Sequence, residues 1–478
     1  MTIKFEKEDV ILSNNTNEVK MRPFGLLDKL AYMMGDVGCN IVLSLANSYL
    51  LVFYTKVMGV SGAIIGSIFM LARFVDAFTD VFVGRICDTR TNKKGERYRY
   101  WMAYGSIPLV ISSTLMYNYF LAGAPMPVKV IYLGITYILF GSVCYTAVNI
   151  PYGALSNVLT SDTAHRSSLS TWRSVGSQIG GLILGIVIPL AIYVKDADGN
   201  NIASGPRFFA VSIILGLVTL AAILFCWKFS VERVRLENQT DSGEKSDNSL
   251  VVIKKCFSDR ALLMNFGNGI FIYAAIQIFM LFNQYIFLDY FENTSLSGLA
   301  SVVMFLGMMA SAPVATIFGK KIGKKEVSSI GLGISTLAYI VVFVTRVTNP
   351  LLYFVGVFFA FFGLGICSML SFAMLNDCID NYYIKTNTNA GGTVYAMSSF
   401  MRKMAGAVCT GVGGWSLTWI GYAETAVAQT EAVKLSVFNI TIGIPAICFG
   451  LSLVFMIFFP LNKKRVEENN QKMAELSK

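Results

Sequence analysis

FMLARFVDAFTD, residues 69–80, sets three ionisable side chains in a run that carries no other charge from Val57 to Gly84. Arg73, Asp76 and Asp80 lie at i, i+3 and i+7, so a helix shows all three on one face. A run of this length and polarity reads as a bilayer-crossing helix with a polar face turned away from lipid.

The rest of the chain agrees. Its 478 residues are 54% hydrophobic and only 14% charged, with mean hydropathy +0.58, whereas soluble domains are about 25% charged. At about 20 apolar residues per crossing there is room for about twelve spans, and a tethered catalytic or phosphotransfer domain is excluded. The net charge of +10 does not point to nucleic acid, because the basic residues sit in short loops and not on one exposed face. Membrane lipid and small solutes are the expected partners. The nine cysteines show no C-x-x-C pair and read as small core residues. The first 24 residues are polar and mixed in charge, so no cleavable signal peptide is expected.

Apolar windows fall near 28–55, 60–87, 101–121, 128–157, 168–194, 207–229, 261–289, 297–318, 326–346, 350–378, 391–420 and 434–460. The expected fold is an all-α membrane protein of twelve helices in two six-helix halves. Residues 1–229 form the first half, 230–260 a polar cytoplasmic linker, and 261–478 the second half with a short polar tail. Alternate loops carry 29 and six Lys or Arg residues, which puts both termini in the cytoplasm. The basic connection GRICDTRTNKKGER from Gly84 has a shorter echo, GKKIGKKE, from Gly319. Parallel halves with a substrate site between them are the arrangement of major-facilitator transporters.

Seven charged groups lie well inside windows, clear of their ends: Asp36, Arg73, Asp76, Asp80, Arg173, Arg402 and Lys403. At about 3 kcal/mol each they would cost about 20 kcal/mol unpaired, more than a typical folding stability of about 5–15 kcal/mol. They must pair, or face water or a ligand. Asp76 and Asp80, one turn apart, suit a Na⁺ ion or a shared proton; an Arg73–Asp brace between helices is the other reading. Tyr32, Asp36 and Asn40 recur every four residues on the first span. The fourth carries Tyr145, Thr146 and Asn149 before I-P-Y-G, where Pro151 and Gly153 are expected to loosen the helix. Trp172 and Arg173 on the fifth offer a flat aromatic beside hydrogen-bond donors, as a sugar ring requires. Arg402 and Lys403 point about 100° apart, so at least one is expected to reach the central cavity. Arg97 in the second-to-third connection, with Asp377 and Asp380 near the end of the tenth span, are candidate gating residues or loop braces. The only histidine, His165, falls in a predicted loop, so no His-based site lies in the membrane and an enzyme is not expected.

Four stretches together resemble the glycoside–pentoside–hexuronide:cation symporters, nearest to their xyloside and glucuronide branch. They are GDVGCNIV and YLLVFYT within 35–55, LARFVDAFTDVFVGRICD at 71–88, YTAVNIPYGAL at 145–155, and NDCIDNYYIK at 376–385. The resemblance implies uptake of a glycoside coupled to Na⁺ or H⁺ across the plasma (inner) membrane, with no other cofactor. It places cation binding at Asp76, Asp80 and Thr146, and substrate contact at Arg173 with Lys403 bridging the two regions. Asp36, Asn40, Asn149, Trp172 and Arg402 complete the expected substrate set. The chain departs from the melibiose carrier at Asn40, Asn149 and Gly153, where that carrier has two aspartates and a tryptophan, so melibiose is disfavoured. Arg173, Arg402 and Lys403 leave an electropositive cavity suited to a uronate carboxylate; a pentose-containing glycoside is the other candidate. Two rival readings are a lysolipid or other amphiphile carrier of the same fold, and a non-transporting sugar sensor.

Overall fold

The computed structural model describes residues 22–89, 96, 98–160, 162–195, 201–234, 256–386, 391–426 and 428–476. Arg97, most of the 230–260 linker and the loop after Thr386 lie outside the described residues. Helices follow the apolar windows: α1 Leu26–Val52, α2 Gly62–Thr89, α3 Arg99–Leu115, α4 Met126–Ile138, α5 Thr146–Leu159, α6 Thr163–Ile192, α7 Gly205–Phe229. The second set is α8 Arg260–Tyr285, α9 Ser297–Lys321, α10 Lys324–Thr345, α11 Pro350–Thr386, α12 Gly391–Trp419 and α13 Glu431–Ile457. A polar helix, α14 Lys463–Leu476, follows where a plain tail was expected. Two short strands, β1 Tyr193–Lys195 and β2 Asn201–Ala203, pair antiparallel between α6 and α7. Ten helical segments among the described residues are long and apolar enough to cross a bilayer. Outside that set stand α3, at 17 residues, and α12, which carries Arg402 and Lys403.

Local chemistry sets the helix ends. Asp28 in the first turn of α1 accepts from Gly25 N–H at 3.0 Å, and Arg22 and Arg233 close on the same buried carboxylate at 2.9 and 3.0 Å. Glu232, beyond α7, accepts from the backbone N–H groups of Tyr98 and Arg99 at 2.8 and 2.7 Å. A carboxylate there satisfies otherwise orphaned donors at the positive end of α3. Asp259 caps α8 in the same way through Ala261 and Leu262 N–H. Gly59, with φ +66°, makes the turn from α1 to α2.

The helix ladder widens to π geometry at Phe53–Val57, Leu139–Tyr145 and Ile286–Tyr290. The middle stretch fuses α4 and α5 into one segment. Irregularity was expected at Pro151 and Gly153; it lies about two to three turns earlier, in Leu139–Tyr145, and Pro151 is accommodated inside a regular α5.

Two apolar clusters fill the bundle, one built mainly from α1–α7 and one from α8–α13. Across them α2 packs on α12, α6 on α9, and α1 on α8. With α4 and α5 counted as one, α2/α12 are the second and eleventh segments and α6/α9 the fifth and eighth. A shift of six therefore exchanges the two pairs. Both crossings are made of glycine: a Cβ on Gly414 would strike the Gly62 carbonyl, and one on Gly298 the Gly185 carbonyl. Such contacts let helix backbones touch, which is how apolar helices gain packing energy in lipid.

Gly298→Val should lower stability by about 1–3 kcal/mol through overpacking, read as a drop in Tm in detergent. Gly333→Val on α10, where an added Cβ meets nothing within 4 Å, is the control and should leave Tm nearly unchanged. Equal Tm values for the two variants would contradict the tight crossing.

Candidate functional site

The face of α2 predicted to carry charge packs against the π segment and the start of α5. Ser142, inside that segment, donates to Asp76 Oδ1. Thr146 Oγ lies 2.8 Å from Asp80 Oδ1 and 3.1 Å from the Gly141 carbonyl oxygen. Each carboxylate has a cation on its other side. Arg73 stands 3.9 Å from Asp76 and donates to Asn47 Oδ1 at 2.7 Å. Lys403 of α12 donates to Asp80 Oδ2, so this ion pair joins two helices far apart in sequence.

The donors gathered here are all oxygens: two carboxylates, two hydroxyls and a backbone carbonyl. That set suits a hard cation. No cluster of three or more His, Cys, Asp or Glu side chains occurs among the described residues. With its two carboxylates already flanked by Arg73 and Lys403, the site fits a monovalent ion better than a divalent one.

A second polar cluster lies between α1 and α6. Asp36 is buried; Arg173 Nε donates to its Oδ1 at 3.0 Å and Asn40 to its Oδ2 at 2.7 Å. The Arg173 guanidinium sits 5.1 Å above the Tyr152 ring. Tyr152 stacks on Tyr32 at 4.7 Å and donates to the Tyr32 carbonyl. This holds Arg173 in place by charge, hydrogen bond and ring face together. Asn149 and Trp172 are half-buried and make no hydrogen bond among the described residues.

Other predicted residues are placed differently. Arg402 lies 5.2 Å over the Phe372 ring of α11, so of the adjacent cations it is Lys403 that meets Asp80. Asp377 takes both its bonds from Lys324 at 2.7 and 2.8 Å, tying α10 to α11. Asp380 is half-buried one turn on.

Residues not singled out in the sequence close one end of the bundle. We call the end where α1 begins the near end and the other the far end. At the far end Lys56 donates to the Ala426 carbonyl at 3.1 Å, lies 4.0 Å from Asp289 and 4.6 Å above the Tyr422 ring. Tyr422 donates to Asp289 at 2.7 Å, and Thr55 bonds Tyr285 at 2.8 Å. Trp415 donates to Ser67 at 2.9 Å, and Ser61 bonds Thr418 at 3.1 Å. The Lys56 and Asp289 side chains are only 9% and 2% exposed. By contrast Lys403 and Arg173, about one-third to just under one-half of the way from the near end, are 44% and 41% exposed. A cleft thus reaches these mid-depth charges from the near end while the far end is sealed. The signal for Asp289 was available: it is an acid at the very edge of the 261–289 window. Ser142 and Asn47 gave none, since small polar residues are common in membrane helices.

Known proteins match along nearly the whole chain. It is 28% identical to the isoprimeverose transporter of Lactiplantibacillus pentosus, over 94% of this chain and 92% of that one. It is 27% identical to the glucuronide carrier protein homolog of Escherichia coli (strain K12), over 92% and 93%. Among solved structures it resembles a D-xylose-proton symporter at TM-score 0.59 and 14% identity, covering 90% of this chain and 96% of that one. A bacterial homolog of the human lysosomal transporter Spinster matches at TM-score 0.64 and 12% identity, over 93% and 97%. These structures share the fold. With the sequence pattern of MFS/sugar transport proteins matching residues 31–463, the chain belongs to that family of multi-pass membrane transporters.

Proposed function

We propose that this protein is a plasma-membrane symporter that couples glycoside uptake to Na⁺ or H⁺ by alternating access. All twelve segments then cross the bilayer, 1–229 and 261–478 form the two halves, 230–260 links them, and both termini are cytoplasmic. The near end is the cytoplasmic side, and the far-end seal marks an inward-facing state. The observation that carries the reading is the Asp76–Asp80 pair, with a hydroxyl on each carboxylate and a lysine of the other half on Asp80.

The coupling follows from charge balance. Without an ion, Lys403 neutralises Asp80. A Na⁺ ion held by Asp76, Asp80, Ser142, Thr146 and the Gly141 carbonyl, or a proton on the pair, makes Lys403 redundant there. Freed, it turns its charge toward the cleft and the Asp36–Asn40–Arg173 cluster. The cation and the sugar thereby strengthen each other's binding by a coupling free energy, typically about 1–3 kcal/mol. A uronate carboxylate would compete with Asp36 for Arg173 and bind the freed Lys403. A neutral pentoside would use Asn40, Asn149 and the Trp172 ring. A Cβ on Gly153 meets nothing within 4 Å, so the helix surface is open at that position. The cargo named for the relatives, isoprimeverose and a glucuronide, supports a glycoside of either kind. The polar walls favour this over an amphiphile carrier, and the acidic pair favours coupling over a sensor.

In proteoliposomes with an imposed Na⁺ or proton gradient, Asp76→Asn and Asp80→Asn should abolish uphill accumulation of labelled glycosides. Sugar exchange at equilibrium should persist. Normal accumulation by both variants would refute the cation site.

The far-end seal gives a separate test. Asp289→Asn leaves Lys56 buried without its counter-charge, a loss of about 3–5 kcal/mol when a buried pair is broken. The sealed state should lose population, so a cysteine placed at Thr55, which is fully buried when this end is shut, should react faster with a membrane-impermeant thiol reagent from outside. An unchanged rate would show that the pair does not hold this end shut.

A further inference from the structure

The polar stripe of α1 does not stop at the Asp36 cluster. Ser44 and Ser48 follow Tyr32, Asp36 and Asn40 at the same four-residue spacing, so a slowly winding stripe carries five polar side chains along about 24 Å of the helix. Toward the far end Ser44, Ser48 and Tyr49 line a small cavity of about 30 Å³. Gly181 and Gly185 of α6 complete that wall, and Asn283 and Gln284 of α8 face it. The cavity therefore lies where the two helix sets meet.

Asn283 and Gln284 are 2% and 1% exposed. Asn283 donates through Nδ2 to the Ser297 carbonyl at 3.0 Å, but its Oδ1 has no partner, nor does Gln284 Oε1. Ser48 has only the Met280 sulfur, a weak acceptor, at 3.8 Å. A buried polar group left unpaired costs about 1–3 kcal/mol, and two in one cavity signal a partner that arrives at another stage. A volume of about 30 Å³ is one water's share of liquid, so the sealed far end has room there for water alone. When the far end opens, α1 and α6 part from α8 and α9, and this cavity is on the parting surface.

We propose that Asn283 and Gln284, facing Ser44 and Ser48, form a second hydroxyl-binding subsite that holds the outer ring of a two-ring glycoside while the far end is open. This rests on the glycoside-transport reading and narrows its substrate class. Ser48 lies two turns, roughly 12 Å, beyond Asn40, farther than one sugar ring at the Asp36 cluster extends. Amides both donate and accept, as sugar hydroxyls require. A subsite on α8 also gives the sugar contacts on both halves, so that binding discriminates between open and closed states.

The test uses wild type, Gln284→Leu and Ser48→Ala in oriented proteoliposomes, with methyl xyloside and a xylosyl-glucose disaccharide as the labelled probes. Both variants should raise the outside KM for the disaccharide by several-fold to about tenfold, the loss of one or two hydrogen bonds. The outside KM for the monosaccharide, and the inside KM for both sugars, should stay within about twofold. Ser48→Ala removes a single hydroxyl and keeps the test decisive if Gln284→Leu disturbs folding. Equal rises for both sugars, or equal rises from both sides, would mark these residues as packing groups and overturn the subsite. So would a wild type that moves both sugars with variants that match it. A wild type that moves neither sugar overturns the pentoside form of the transport reading together with the subsite.

Discussion

The ion pair between Asp80 on α2 and Lys403 on α12 is the interaction on which the rest depends. Charges at mid-depth in a membrane protein are tolerated only when paired or wet, and here the partner of an acid comes from the other side of the cleft. Whatever neutralises Asp80 in place of Lys403 changes the charge balance across that cleft. In the proposed symport cycle, ion occupancy is thereby linked to the relative position of two helices whose backbones touch at Gly62 and Gly414. On that reading the close, glycine-made crossing serves as the pivot between them.

The same logic orders the other polar groups. Asp36 and Arg173 satisfy each other on the cleft wall, and Lys56, Asp289 and Tyr422 do so at the sealed end. Breaking any one of these pairs in place leaves a charge uncompensated in a medium of low dielectric. On the proposed symport reading, each pair is stable in one state and awaits a substitute in the other: an ion for Lys403, a substrate group for Asp36, water for Lys56 and Asp289. The proposed transport cycle is then an exchange of partners in which buried charge is never left alone.

Much of this was legible in the sequence because lipid enforces it. A span needs about 20 apolar residues, so the twelve windows match helices that the bundle contains. Ends were less legible. Helix α11 runs on to Thr386, past the window edge at 378, because its polar turns remain helical once clear of the apolar run. Helix α14 is mostly charged or polar, and its thin apolar face, with Val466 and Met473 at i and i+7, is too sparse to mark a span. In the site, Asp76 and Asp80 stood out because acids in an apolar run are costly, and Thr146 through the family resemblance. Ser142 did not, because its role arises only when π geometry brings it to Asp76. Arg402 and Lys403 were indistinguishable by spacing alone, and the rotation of α12 against α2 decides between them.

The most direct measurement is the chemical reactivity of Lys403 itself. Site-resolved amine labelling of the purified transporter, normalised to Lys472 on α14, should rise for Lys403 when Na⁺ replaces choline at constant ionic strength, or when acid protonates the aspartate pair. Added glycoside should then suppress it. Lys403 reactivity that ignored both cations would contradict the exchange of partners at Asp80.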